Sequence, residues 1–553
     1  MKPFRLCKVY LSSQKYSLLG YVAIVLASTI ISILTPYIIG DFLDTLISGA
    51  DMGVILRFGI IFGGLSLLKI IKGYITAIMN TKMQIKMSYN LNRDTIKHIQ
   101  GLSLSYINQK DSAYLSQRVG DDANSLISFC ISILRNIITN TIMVIVPFVI
   151  LLTMNWLIAV LMLGFVAVYM ALYFAFKKPL YTAGFAHREA LAKFFSKILE
   201  QLRYAKLIKL NSIQDKMIKR ADDSFAHQRD TALHNQKINY FYNSADGIIS
   251  TIAQISLFVI GGLHVLAGNF TIGMFTIFTS YFNMMLGACR YFFSLGGAYQ
   301  RTMVAHDRIR EILDQKPESQ GEKLITNIEK IELQNVNFSY NGNAKKQTVT
   351  GINALFNKGY IYVITGPNGA GKSTLINLLL GMYIDEYKGS ITYNGIDIRN
   401  INMVAARRDQ LGFAEQEPQL INDTIRYNLS FGKSLNEKLS NLIDILNMND
   451  FIAEHSLDYV LNEKTTNTSG GEKQKIAILK VLSKDPDVMV FDEPSSALEK
   501  GTVEKFMEYL HQIKKDKIII IITHDEIIKA QCDINLKIDS TKPTGYISYS
   551  ERH

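Results

Sequence analysis

The chain has 553 residues and a net charge of +11, and hydrophobic residues make up 48% of it. That length exceeds one ordinary domain, and that apolar share is high for a soluble protein. The four cysteines, Cys7, Cys130, Cys289 and Cys532, lie far apart with no CxxC pair, so neither a zinc site nor a disulfide framework is supported and buried free thiols are expected.

From the N-terminus, six apolar runs follow one another at residues 18–39, 54–79, 136–154, 157–176, 247–267 and 272–288. A helix of about 20 apolar residues crosses the hydrocarbon core of a bilayer, so six transmembrane helices are expected. The second run, interrupted by Arg57, Lys69 and Lys72, is the least regular. The first is longer than the apolar core of a signal peptide and five more follow it, which favours a retained span over a cleaved signal.

Lysines and arginines set the orientation. Lys2, Arg5, Lys8 and Lys15 precede the first span, whereas the loop after it carries Asp41, Asp44 and Asp51 and no basic residue. Long basic loops join spans two and three (Lys82, Lys86, Arg93, Lys97) and spans four and five (Lys177, Lys178, Arg188, Lys193). Both termini and both long loops therefore read as cytoplasmic. Topology accounts for much of the positive charge, so no nucleic-acid partner is expected. In the second long loop, Ile198, Leu199 and Leu202 recur at i+3, i+4 and i+7 from Phe195. That spacing predicts an amphipathic helix continuing out of the membrane toward a cytoplasmic partner, with a solvated loop holding a small core of its own as the plainer alternative. Lys69, Lys72, Asp246 and Arg290 are the charged residues in or beside spans that a cargo path would use. Asp246, at a span end, reads instead as a charge reaching the cytoplasmic interface.

The texture changes after Asp314. Residues 315–322 are polar, with Pro317 and Gly321, and read as a linker. Beyond them, short β-like runs alternate with helices, and those at 360–365, 488–491 and 517–523 have the continuous apolar character of strands buried on both faces. The expected fold class is an all-α membrane domain of six helices (residues 1–314), a linker (315–325), and an α/β P-loop NTPase domain with a mainly parallel sheet (326–553).

Within the second half, Gly366-Pro367-Asn368-Gly369-Ala370-Gly371-Lys372-Ser373 fits G-x-x-x-x-G-K-[ST] between an expected strand and an expected helix, and Thr374 follows. Its glycines let backbone N–H groups turn toward phosphate oxygens, and the helix N-terminus favours an anion. Lys372 reaches the β- and γ-phosphates, and Ser373 can ligate Mg²⁺. Asp492 and Glu493 close the strand at 488–491, where Asp492 can hold Mg²⁺ through water and Glu493 can polarise an attacking water. Asn467-Thr468-Ser469 matches a glycosylation sequon, but a cytoplasmic domain excludes that use.

Six spans followed by this ATP site resemble an ATP-binding cassette (ABC) exporter of the half-transporter type over nearly the whole length. Further matches fall in order: Tyr340, Gln416, Ser469-Gly470-Gly471, Ser496-Ala497-Leu498 and His524. The resemblance implies that Tyr340 stacks on adenine, Gln416 contacts Mg²⁺ and the γ-phosphate, and His524 contacts the γ-phosphate. It implies too that Ser469, Gly470 and Gly471 form the signature that closes over ATP held by a second subunit. A homodimer is favoured and a heterodimer left open. Coupling helices fall near residues 112–115 and 206–215. Three positions depart from the pattern: Thr468 for the usual Leu, Glu472 for Gln, and Glu499 for Asp. The resemblance implies an ATPase in the inner or plasma membrane, with ATP and Mg²⁺ as ligands and an exported amphipathic substrate. A bacteriocin-like peptide is the first expectation, with lipid or multidrug export next and a ligand-sensing or immunity module of another class kept open. Only residues 1–17 precede the first span, so no leader-cleaving peptidase is expected there. The Ile-, Lys- and Asn-rich composition suggests a bacterial source.

Overall fold

The computed structural model describes residues 2–110, 115–116, 118–340, 348–461, 468–538 and 547–551. The chain forms two compact units, Met1–Lys97 with Ser112–Asp314, and His98–Asp111 with Gln315–His553.

The first unit is helical: α1 (Lys2–Ser13), α2 (Lys15–Ile47), α3 (Met52–Gln100, which runs on into the second unit), α5 (Ala123–Met154), α6 (Trp156–Arg203), α7 (Ala205–Leu210), α8 (Gln214–Leu266) and α9 (Ile272–Leu313); α4 (Leu104–Gln109) belongs to the second unit. Six of the helices among the described residues are long and apolar enough to cross a membrane, and each carries one expected run, the fifth ending one residue past its helix. α3 has 49 residues and α8 has 53. At about 1.5 Å per residue they are roughly 70–80 Å long, more than twice a hydrocarbon core of about 30 Å. The long basic loops are therefore largely helical continuations of the spans.

The buried side chains of this unit gather in two clusters, one around Ile33, Leu151, Tyr169, Leu257, Phe278 and Tyr281 and one around Tyr21, Met87, Leu91, Leu126 and Ile309. The Tyr281 hydroxyl donates to the Ile33 carbonyl at 2.8 Å, one turn before Pro36, where a proline weakens the helix's own hydrogen bonding. Near the end of α2, the Asp44 carboxylate accepts from the Thr271 hydroxyl at 2.5 Å and from the Gly273 N–H at 2.7 Å. Thr271 in turn caps α9 by accepting from the Met274 N–H. Gly40 and Gly273 let the two backbones meet there: a Cβ on Gly273 would run into the Gly40 carbonyl and the Asp44 carboxylate.

Two details differ from the sequence reading. Asp246 does not reach alone for the interface: Arg290 pairs with its carboxylate at 2.9 Å and Tyr169 donates to its carbonyl, because an intramembrane charge is cheaper paired. The stripe expected to cover one face of α6 is a helix, but Phe195, Leu199 and Leu202 are 54%, 64% and 68% exposed in the chain. The packing face is the neighbouring one, where Phe194 meets Phe225 of α8 and Gln201 donates to the Met217 carbonyl. Of the expected coupling segments, 206–215 falls on α7 and the start of α8, while 112–114 lie outside the described residues. The short helix before them is α4, whose Leu104 packs on the core of the second unit.

That second unit is α/β. One sheet has six strands in the order β10-β9-β3-β8-β7-β6, using β3 (Ile361–Thr365), β6 (Leu411–Ala414), β7 (Val488–Asp492), β8 (Ile518–Ile522), β9 (Ile534–Ile538) and β10 (Ile547–Glu551). Its pairings are parallel except β9 with β10. The buried, β-branched runs form its inner strands, as expected of a sheet covered on both faces. A second, antiparallel sheet, absent from the sequence reading, has the order β2-β1-β4-β5, with β1 (Lys330–Phe338), β2 (Val349–Asn357), β4 (Lys388–Tyr393) and β5 (Ile396–Asp397). The polar stretch after Asp314 is not a free linker. Glu318 forms a mostly buried ion pair with Arg407 at 2.8 Å, the Ser319 N–H donates to Asp385, and the Gly321 N–H donates to the Ile401 carbonyl. It is a strap fixed along the α/β unit.

Candidate functional site

In a parallel sheet, ligands bind beyond the carboxyl ends of the strands. Here β3, β7 and β8 lie side by side, and their ends carry Gly366, Asp492–Glu493 and Thr523–His524. Residues scattered across the sequence are thereby brought together.

The loop from Gly366 leads into α10 (Lys372–Leu379). Gly369 and Gly371 have φ of +80° and +91°, a region that costs an L side chain about 1–2 kcal/mol. A Cβ on Gly371 would also lie 2.9 Å from the Thr348 carbonyl. Glycine there is required by the turn that aims the free N–H groups of α10 outward. The loop positions Asn368 and Ala370 lie within this turn, Ala370 buried in the core of the unit. The Lys372 ammonium donates to the Gly366 carbonyl at 2.8 Å and lies 3.3 Å from His524 Nε2, which makes that ring nitrogen the acceptor. The Tyr340 hydroxyl is 2.9 Å from the Thr374 hydroxyl, and its ring stands edge-on to Phe338 and Tyr383. That fixes an aromatic ring beside the first turn of α10.

Ser373 Oγ lies 3.5 Å from Asp492 Oδ2. Burial, and then the neighbouring Glu493, push the Asp492 carboxyl above the ordinary range, which is the environment a cation would relieve. Two hard oxygen donors suit Mg²⁺, which takes few protein ligands and completes its shell with phosphate and water. Among the described residues no group of three or more His, Cys, Asp or Glu forms a fuller cage.

Glu493 follows β7 with φ of +50°, uncommon for a residue other than glycine. Its N–H donates to the Ile522 carbonyl at 2.8 Å, and its own carbonyl accepts from the Gln474 side chain at 2.8 Å. The Ser496 hydroxyl is 2.7 Å from Gln474 Oε1 and 2.9 Å from the Glu493 carbonyl. These contacts hold the backbone in its left-handed turn. The carboxylate then points to Thr523 Oγ1 at 3.4 Å and His524 Nε2 at 3.8 Å. Glu493, His524 and Lys372 thus form one cluster.

Gln474, only 5% exposed, is the residue the sequence reading missed. It belongs to α11 (Gly470–Lys484), the helix opened by the signature. A signal was present: Gln474 precedes Ile478 and Val481 by four and seven positions, so it is a polar residue on the apolar stripe. At the head of α11, the Ser469 hydroxyl accepts from the Glu472 N–H and the Glu472 carboxylate accepts from the Ser469 N–H. This capping box gives the unusual Glu472 a structural use. Gly470 and Gly471 line an open cleft of about 560 Å³ together with Thr468, Gln416, Lys473 and Ser496. No residue of the phosphate loop lines that cleft. Gln416 stands exposed after β6 and lines the signature cleft, and from the same loop Glu415 is a carboxylate acting on Asp492. Glu499 precedes α12 (Lys500–Ile513) without capping it through its side chain, where a shorter Asp is a preferred cap.

Residues 18–289 match the family model of the ABC transporter transmembrane region and residues 349–496 match that of the ABC transporter. The chain is 26% identical to ABC transporter B family member 1 of Dictyostelium discoideum over 90% of its own length, but spans only 55% of that relative. It is 27% identical to the lactococcin-G-processing and transport ATP-binding protein LagD of Lactococcus lactis, over 95% of this chain and 75% of that one. It is 24% identical to an ATP-dependent lipid A-core flippase of Desulfotalea psychrophila, over 88% and 86% respectively. Its fold is that of a bacterial Atm1-family ABC exporter solved with ATP bound, with a TM-score of 0.83 at 20% identity over 96% of this chain and 94% of the other. The chain belongs to the ABC transporter family, as an exporter of the half-transporter type whose ATPase module couples ATP hydrolysis to transport.

Proposed function

We propose that two copies of this chain form one exporter with two composite ATP sites, and that its cargo is an amphipathic peptide. The observation that carries the dimer is the separation of two half-sites in one chain. The phosphate loop with Asp492, Glu493 and His524 is one, and the signature cleft, which no phosphate-loop residue lines, is the other. A symmetric pair satisfies both, since each signature then closes over the other chain's phosphate loop.

In this reading the glycine loop and Lys372 bind the triphosphate, and Tyr340 holds the adenine. Ser373 and Asp492 would hold Mg²⁺, which neutralises developing phosphate charge. Glu493 accepts a proton from the attacking water, and His524 steadies the γ-phosphate end of the site. ATP binds the closed dimer more tightly than the open one and so shifts the membrane helices toward an outward-facing state; hydrolysis removes that bias.

The peptide assignment rests on the similarity to the lactococcin-G transport protein across 95% of this chain. Inside-out vesicles carrying the protein should accumulate an amphipathic peptide when ATP is supplied and none when ATP is withheld. Flux of lipid or of a hydrophobic drug with no peptide flux would replace the cargo. Ligand-stimulated ATPase with no flux of any class would replace transport by sensing.

A further inference from the structure

We propose that the outer side of α1 is a built binding site for an anionic phospholipid of the cytoplasmic leaflet. One face of α1 is clamped. Pro3 and Cys7 are buried, Cys7 within a core containing Met87, Leu91, Leu126 and Cys130, and the Tyr10 hydroxyl donates to Asp94 on α3 at 3.2 Å. The helix is therefore held against its neighbours before any lipid arrives.

Its other side, with the start of α2, forms an open groove of about 470 Å³. Phe4, Leu11 and Leu18 give the groove apolar walls, and Arg5, Lys8 and Lys15 stand around it. All three cations are exposed, and none has an ion-pair partner among the described residues. The first 40 residues contain no Asp or Glu, and Asp94 is engaged by Tyr10 and Arg93. Three positive charges thus share a groove without a counter-charge among the described residues.

Depth selects the partner. Lys15 lies one helical turn, about 4.5 Å, before Leu18, where the apolar run of the first span begins. The three cations are thereby placed at headgroup level, on the side that the positive-inside rule makes cytoplasmic. The walls continue into the span, so an acyl chain can lie along Leu11 and Leu18 while the phosphate meets the cations. A soluble phosphate would leave those walls unused. Clusters of basic residues at the cytoplasmic end of a span draw anionic lipid in this way, each group adding several-fold to affinity.

The full chain in neutral detergent, titrated with phosphatidylglycerol and phosphatidylcholine and read by native mass spectrometry, should retain phosphatidylglycerol preferentially. The variant Arg5→Gln/Lys8→Gln/Lys15→Gln should lose that preference about tenfold or more. Its ATPase rate in phosphatidylcholine nanodiscs should match the wild type. The charge-keeping variant Arg5→Lys/Lys8→Arg/Lys15→Arg should bind as the wild type does. No preference in the wild-type protein, or an undiminished preference in the Gln variant, would overturn the proposal. So would competition by millimolar inorganic phosphate as effective as by the lipid itself.

Discussion

At the scale of single residues, Glu493 shows how a side chain's aim is fixed through its backbone. Its left-handed φ is held from three directions by Ile522, Gln474 and Ser496, which leaves the carboxylate directed at His524. Glu493→Gln keeps the shape and removes the proposed base. It should bind ATP within about twofold of wild type while turnover falls roughly 10²–10⁴-fold. A nucleotide titration paired with phosphate release in lipid checks both halves, and wild-type turnover in the variant would remove Glu493 from the role of base. Much of this cluster was legible from motifs. A short motif such as the one from Gly366 to Ser373 encodes its own backbone path, and the strand ends at Asp492 and His524 follow once a parallel sheet is accepted. That Gln416 lines the signature cleft is not something local spacing gives, because the position of an exposed loop side chain is set by its surroundings.

At the scale of elements, α11 joins the signature to the carboxyl end of β7. Its first residues face the open cleft, and one turn later Gln474 donates to the Glu493 carbonyl. A displacement of the signature would therefore act on the Glu493 turn through a single buried amide. Gln474→Ala removes that link and leaves buried polar groups unpaired, at a cost of about 1–3 kcal/mol. We expect the ATPase rate to drop about tenfold with ATP binding kept. Ser496→Ala should do less, because Gln474 still reaches the carbonyl. Equal rates in Gln474→Ala and wild type would show that the link carries nothing. Helices and buried strands were readable because their periodicity is local. The antiparallel sheet was not, since β1 pairs with β4 across more than fifty residues and its strands alternate less cleanly. The exposed stripe on α6 was read correctly as apolar; what covers it is not a property of the chain's own periodicity.

At the scale of the whole molecule, the two half-sites make a prediction that single variants cannot. Lys372→Ala spoils the phosphate loop and leaves the signature intact. Gly470→Glu places a carboxylate in the signature cleft, and nothing among the described residues lies within 4 Å of the added Cβ. Each variant alone should be inactive. Mixed and co-assembled, they should recover roughly a quarter of the wild-type ATPase rate, since half the dimers hold one complete site. No recovery, with mixed dimers shown to form, would mean that each chain builds its site alone. The carboxylate of Asp44 carries a different kind of consequence. Its partners Thr271 and Gly273 are 227 and 229 residues further along the chain. At about 5–20 residues per second, a ribosome needs roughly 10–45 s to reach them. Through that interval the far end of the first membrane helix has Phe58 of α3 beside Phe42 but not its mates on α9, and Gly40 and Asp44 present a bare notch to the insertion machinery. The seam between the first and last spans therefore closes only once synthesis has reached about the middle of the 553-residue chain, so that a chain truncated before Thr271 would leave its earliest helix unlatched.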